Sequence, residues 1–367
     1  MFIQLFSISR NTFVEAIRQP IFVVLLLCGA LVMAMAPFMS AYSMEPGEGD
    51  NKMLVDLGLG NLWLVGMLLA AFIATGAVNA EMESKTALTV VSKPVARPIF
   101  VLGKYLGVCG ALLIANLLLL IVLLFTIRHK VMQNASDDLD WPVLIFSLGG
   151  FVVALSFAAA GNYLYKKVFT SLFTLALLCT LPLGFVLAMF IGPGWVFQPP
   201  LTDWQSDEGQ MVQIAVGALL ITQGVLVLTA VAVALSTRFG TVITLIASGV
   251  VLIVGMLAGS LSQMVNQNMG LPADIGLLTA VGDIFRSGEL SFGRQVLYVL
   301  VKGLYVVAPN FQFHWPADAI SQKQSLVHTR DGAFSLSYLG TVSVYSVCYI
   351  TAVLGLAVVL FQKREVS

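Results

Sequence analysis

Charge is what this chain has least of. Asp, Glu, Lys and Arg make up only 10% of its 367 residues, while 58% are apolar. Soluble domains run nearer to about 25% charged and roughly 45–50% apolar. A water-soluble fold of this length could bury a core, but 19 basic and 19 acidic residues could not cover its surface. The net charge of zero removes any electrostatic case for nucleic acid binding. Cysteine is scarce too. Cys28, Cys109, Cys179 and Cys348 lie in apolar runs, with the spacing of neither a metal site nor a disulfide framework. They are expected to act as small hydrophobes. The three histidines, His129, His314 and His328, have no helical i, i+4 partner and are expected to be solvated loop residues. There is no G-x-x-x-x-G-K-[ST] phosphate loop and no dinucleotide fingerprint.

What the chain has is long apolar runs. The first, Ile21–Ala41, is about 21 residues, beyond the roughly 7–15 of a cleavable signal core. It is long enough to cross a hydrocarbon layer of ~30 Å at about 1.5 Å per residue, so a retained signal-anchor helix is expected. The same length test predicts seven more spans, near Gly60–Ala80, Tyr105–Ile127, Val143–Tyr163, Phe169–Ile191, Met211–Leu235, Gly240–Gln263 and Gly340–Phe361. Pro37 and Pro182 fall inside spans, which lipid-embedded helices tolerate. The fold class expected is therefore an all-α, polytopic transmembrane bundle.

Basic residues orient it. With the N-terminus inside, eleven Lys and Arg fall in inside segments (Arg10, Arg18, Lys85, Lys93, Arg97, Lys104, Lys166, Lys167, Arg238, Lys363, Arg364). Only Lys52, Arg128 and Lys130 fall in short outside loops. This is the positive-inside pattern of a multi-pass protein of the cell (cytoplasmic) membrane, with both termini cytoplasmic.

Two segments read as amphipathic rather than spanning. Residues 1–20 carry Phe2, Leu5, Phe6, Phe13 and Ile17 near one helical face, with Pro20 marking the boundary to the first span. They are expected to form a cytoplasmic interfacial helix. In the outer segment, 264–339, the stretch Phe285–Ala308 places Val296, Leu297, Leu300, Leu304 and Val307 at helical spacing beside Arg294 and Lys302. A helix lying in the outer interface is expected, with a ninth, short or re-entrant span as the alternative. No linker divides residues 21–367, which read as one membrane domain. Gly255 and Gly259 form a small-xxx-small face suited to helix packing or to a dimer.

The predicted spans contain no Asp, Glu, Lys, Arg or His. Their polar groups are neutral: Thr75, Asn116, Thr180, Gln213, Gln223 and Thr229. Proton relays and most ion-coupled carriers need a titratable group at mid-membrane. Energy for any transport is therefore expected to come from outside this chain.

The densest inside feature is the loop after the second span. Glu81, Glu83, Thr86, Ser92, Lys93, Pro94, Val95 and Arg97 are followed by Phe100, Gly103, Lys104 and Gly107. Glu81–Ser92 suits a short helix with acidic residues in its first turn, stopped by Pro94. A plain charged connector would also explain the Lys and Arg, but not an amphipathic helix in a loop that needs only a few residues to turn. In this order the residues resemble the loop E-x-E…T…S-[KR]-P-V-x-R…F…G-K-x-x-G of permease subunits of ATP-binding-cassette (ABC) transporters of the ABC-2 type. Further similarity lies in Thr12, Glu15, Ala16, Arg18 and Pro20, in Leu235–Phe239, in Ala308–Phe313 and in Phe361–Glu365. It covers most of the chain except about Trp141–Gln210. Such permeases usually have six spans, so Val143–Tyr163 and Phe169–Ile191 would be an inserted pair.

The resemblance implies a permease that pairs with itself or with a paralogue, bound to a separate cytoplasmic ABC ATPase. It implies no catalytic, cofactor-binding or metal-ligating residue in this chain, since ATP and Mg would be held by the ATPase. The loop over 81–104 would be the coupling element, with Glu81, Glu83, Thr86, Lys93, Pro94, Arg97 and Lys104 toward the partner. Rival functions are a secondary transporter, which the empty interior disfavours, and a membrane scaffold or assembly protein that uses the outer segment. Reporter fusions test the orientation: those at Gly47 and Gln205 should score outside and those at Ser84 and Lys167 inside, and an outside signal at Ser84 would reverse it.

Overall fold

The computed structural model describes residues 2–40, 48–83, 96–129, 131, 139–199, 210–268, 292–317, 320, 328–330, 333–335 and 337–362. These form α1 (Phe2–Arg18), α2 (Pro20–Ser40), α3 (Glu48–Glu83), α4 (Arg97–His129), α5 (Trp141–Tyr165), α6 (Phe169–Phe190), α7 (Gln210–Ser236), α8 (Thr241–Asn268), α9 (Phe292–Val307) and α10 (Ser337–Gln362). Two 3-10 turns, Pro193–Trp195 and Phe311–His314, and a small antiparallel hairpin, β1 (His328–Arg330) with β2 (Ala333–Ser335), complete the regular structure among the described residues. Eight helices, α2–α8 and α10, are long and apolar enough to cross a membrane. The protein is a multi-pass membrane protein built as an all-α bundle. Eight crossings return the chain to the face on which it began, called here the terminal face; the other is the distal face.

The helices α3, α4 and α7 are the most buried and form the centre, while α5, α8 and α10 turn much of their surface outward. Lipid offers no hydrophobic drive between helices, so close approach and hydrogen bonds hold the bundle. Asn61 of α3 donates to the Gly29 carbonyl of α2 at 2.8 Å, both buried. Gln223 of α7 donates to Ser343 of α10 at 2.9 Å, and Asn116 of α4 to Thr222 of α7 at 3.4 Å. Thr75 and Thr229 instead donate to carbonyls one turn back in their own helices. Double-mutant cycles put such interhelical bonds at about 0.6 kcal/mol each, so these orient the helices more than they stabilise them.

The pair α5–α6 is fastened at both faces. Asp140 caps α5 by accepting from the Val143 amide at 3.2 Å, and Pro142 occupies the first turn. Buried Arg128, at the end of α4, reaches Asp140 at 3.9 Å and donates to the Ile191 carbonyl at the end of α6 at 3.0 Å. At the terminal face, Thr170 of α6 donates to the Arg18 carbonyl of α1 at 3.1 Å.

The amphipathic outer helix is present as α9, and its end reaches in among its neighbours. Sixteen residues span about 24 Å, short of a ~30 Å hydrocarbon layer. Lys302 donates to Ser262 of α8 at 2.7 Å, and the Val307 carbonyl accepts from Tyr349 at 3.0 Å. Tyr349 stands midway along α10. The C-terminus of α9 is therefore level with the middle of the bundle. Its buried side carries Tyr298 and Lys302, while Leu297, Leu300, Leu304 and Val307 face outward. A helix with its polar stripe turned to the protein and its apolar face out suits hydrocarbon, not water. Lys302 is shielded by Tyr298 and Tyr305, whose ring centroids lie 5.6 and 5.8 Å from its ammonium.

After Val307 the chain reverses through Phe311–His314, keyed into glycines of its neighbours. A Cβ on Gly255 of α8 would strike Phe311 at 2.6 Å, and one on Gly259 would strike Gln312. On α7, a Cβ at Gly224 would come within 2.7 Å of Trp63 and 3.0 Å of His314. The Gly255/Gly259 face is thus filled by residues 309–312 of the same chain. His314 is a correction to the expectation of a solvated loop residue. It is fully buried, its Nε2 2.8 Å from the Ser346 hydroxyl. Ser346 donates to the Val342 carbonyl, which leaves its oxygen to accept from His314. Gly259→Leu should therefore lower the thermal unfolding temperature in detergent, at a cost of about 1–3 kcal/mol or more. Gly249→Leu in the same helix, where a Cβ meets nothing within 4 Å, should leave it unchanged or raise it.

Candidate functional site

The loop residues singled out by sequence divide at its borders. Glu81 and Glu83 belong to the last turn of α3, which runs without a break to Glu83. Thr86, Lys93 and Pro94 lie outside the described residues, as does most of the expected short helix Glu81–Ser92. Arg97 opens α4 and is exposed, with Pro98 next to it in the first turn, where a missing amide costs nothing.

Lys104, seven residues on, is almost fully buried. It lies between Gly103 and Gly107, on which α1 is seated. A Cβ on Gly103 would meet Ile8 at 2.8 Å, and one on Gly107 would meet the Ser9 carbonyl at 2.5 Å and Thr12 at 2.6 Å. Backbone cannot yield as a side chain can, so α1 sits at this depth only because both positions lack a side chain. Between them the Lys104 ammonium runs out to half-exposed Glu15 of α1, 3.9 Å away, and passes over the Phe100 ring at 5.8 Å. Thr12 and Ala16 complete the buried face of α1. Lys104 is thus placed to hold α1; any influence on a partner would pass through that helix.

This contact joins two stretches distant in sequence, Thr12–Arg18 and Phe100–Gly107. Lys104 is expected from the sequence to face a partner; that the glycines beside it receive α1 is not. The signal was available: two glycines four apart at the start of an apolar helix, and an amphipathic helix upstream with small residues on one face.

Helix α1 connects more than α4. The Gln19 side chain lies against Gly76 of α3, and the Arg18 carbonyl holds Thr170 of α6. Phe2, Ile3 and Phe6 are left exposed on its outer side, as suits a helix at a membrane surface. Nearby, Ser236 and Thr237 donate to the Val233 and Ala234 carbonyls and close α7, leaving Arg238 and Phe239 exposed. The terminal face therefore has a built junction in which α1 ties together α3, α4 and α6. No cluster of metal-ligating side chains occurs among the described residues.

The chain matches no protein-family model and no curated protein sequence.

The seat can be tested directly. With native cysteines replaced by alanine, Thr12→Cys should be protected from maleimide in detergent. Adding Gly107→Leu should raise its reactivity at least about tenfold while the spans stay folded. Unchanged protection would mean that α1 does not depend on Gly107.

Proposed function

We propose that the protein is the membrane-embedded permease subunit of an ABC transporter of the ABC-2 type, coupling ATP hydrolysis by a separate cytoplasmic ATPase to export. The observation that carries this proposal is the seating of α1 on Gly103, Lys104 and Gly107. The last part of the family-like loop motif and the family-like N-terminal helix meet there, beside the loop that would receive the partner. The terminal face is taken as cytoplasmic on the Lys and Arg asymmetry.

In this scheme the ATPase bears on Glu81–Arg97. The loop leaves α3 and enters α4, two of the three central helices, so a displacement there reaches the core of the bundle without a further relay. Helix α1 stiffens the junction because it contacts α3, α4 and α6 together. ATP and Mg are held by the partner alone. Two permease chains, identical or paralogous, enclose the path. Two features support dependence on an external energy source: the spans predicted from sequence lack Asp, Glu, Lys, Arg and His, and the polar groups Asn116 and Gln223 engage neighbouring helices.

Charge reversal tests the loop. A like-charge contact at an interface can cost several kcal/mol, about two decades or more in affinity. Glu81→Lys with Glu83→Lys should leave insertion and thermal unfolding unchanged, yet abolish co-purification of a nucleotide-hydrolysing ATPase from native membranes in mild detergent. Lys166→Glu with Lys167→Glu, at the exposed α5–α6 turn, should retain it. Retention of the ATPase by the Glu81/Glu83 variant would refute the coupling role.

A further inference from the structure

A groove of about 660 Å³ opens between α2, α4, α5 and α6. Its volume is that of a small-molecule site, which runs roughly 300–1,000 Å³, but its walls are those of lipid. Leucine, alanine, valine and phenylalanine make up nearly all of the lining, with only Thr126, Ser147 and His129 polar. Two of these three already donate their hydroxyl protons within their own helices. Thr126 donates to the Val122 carbonyl at 2.9 Å, and Ser147 to the Leu144 carbonyl at 3.3 Å. His129, the last residue of α4, stands half-buried at the distal mouth.

Position decides the occupant. Along α2 the lining runs from Leu26, in its terminal-face half, to Phe38, near its distal end. Twelve residues at about 1.5 Å each give about 18 Å, close to one leaflet of a ~30 Å hydrocarbon layer. The α6 wall stops at Leu177 and Leu181, again short of the terminal face. The groove is open on its side. Helix α2 packs on α3 and α4 while α5 packs chiefly on α6, which leaves a gap flanked by the outward-facing Leu31, Phe38 and Leu148. We propose that this groove holds one acyl chain of a membrane phospholipid from the leaflet at the distal face. The chain end lies against Leu26 and Leu177, and the headgroup region lies at His129. Ala30 and Ala34, one turn apart on α2, provide the room.

The full chain, purified in mild detergent and then stripped by repeated detergent exchange, should still carry one phospholipid per chain by native mass spectrometry. Annular lipid would be lost under these conditions. Ala30→Trp with Ala34→Trp, which fills the groove, should lower occupancy at least about tenfold. Val347→Trp on the outward face of α10 should not. An independent test uses the unaltered protein: one equivalent of phosphatidylcholine with a diazirine at the acyl terminus should label the peptides that hold Leu26 and Leu177 in preference to those of α8 and α10. The proposal is overturned if the stripped protein carries no lipid. Equal retention by the filled variant, or labelling spread evenly over the outward helices, would overturn it as well. None of these readouts involves the ATPase, so they stand or fall apart from the transporter reading.

Discussion

A backbone carbonyl at the middle of a bilayer has no water to turn to, and the architecture around α9 follows from that constraint. An unsatisfied peptide group in hydrocarbon costs several kcal/mol, so a helix ending there must find donors in neighbouring helices. The end of α9 does so through tyrosines of α10. Tyr349 donates to the Val307 carbonyl, and the Asn310 amide donates to Tyr345. The Ala308 amide returns to the Leu304 carbonyl and adds one more turn. Gln312 then bonds the Met256 carbonyl and the Ser260 hydroxyl of α8. Each bond needs the irregular segment to lie deep among its neighbours, and the glycines at 224, 255 and 259 create that depth. Aromatic contacts of Trp63 with Phe311 and Trp315, at 5.8 and 6.1 Å, fill the remaining space.

The same principle, close approach at glycine followed by a small number of polar bonds, recurs at the terminal face. Gly103 and Gly107 admit α1, and the buried Lys104 and the Thr170–Arg18 bond fix its C-terminal end. Both are places where polar or charged groups occur inside an otherwise apolar molecule, and in both the group holds an element that does not itself cross the bilayer. Lipid cannot drive such elements onto the bundle by exclusion from water, so shape and hydrogen bonding have to do so.

Most of the architecture was legible from period and length. Eight apolar runs became eight helices because a bilayer imposes one length on any helix that crosses it. The break at Pro20 and the amphipathic α1 were equally plain. Sequence failed where tertiary contacts reverse a residue's apparent character. Lys302 marks α9 as amphipathic, because a cation among lipid chains is expensive, but it does not say which groups receive it. The structure lowers that cost with the Ser262 hydroxyl and two aromatic rings. His314 looked like a loop residue because its partner, Ser346, lies 32 positions away on another helix. Lys104 gives no local sign of Glu15, which lies 3.9 Å from its ammonium on a helix 89 positions upstream. Each of these polar groups has a contact remote in sequence, which no local pattern encodes.

The pair α5–α6 shows how two spans can be joined to the bundle at few points. Two spans preserve the sense of every later crossing, so α7, α8 and α10 keep their direction whether or not the pair is present. Within the pair, α5 and α6 approach closely at Gly161 and Gly184 and pack mostly on each other. Their attachment to the bundle is narrow: Arg128 at the distal face, the Thr170–Arg18 bond at the terminal face, and the edge-on packing of Phe125 against Phe185, 5.3 Å between centroids. A pair held at its ends and along one edge leaves its other edge standing away from α2, and that separation is the groove. Breaking Arg128 from Asp140 and Ile191 would expose a buried cation, so the pair must follow α4 when α4 moves. The groove's mouth, framed by α4, α5 and α6, then travels as one piece, and α2 is the wall against which its width can change.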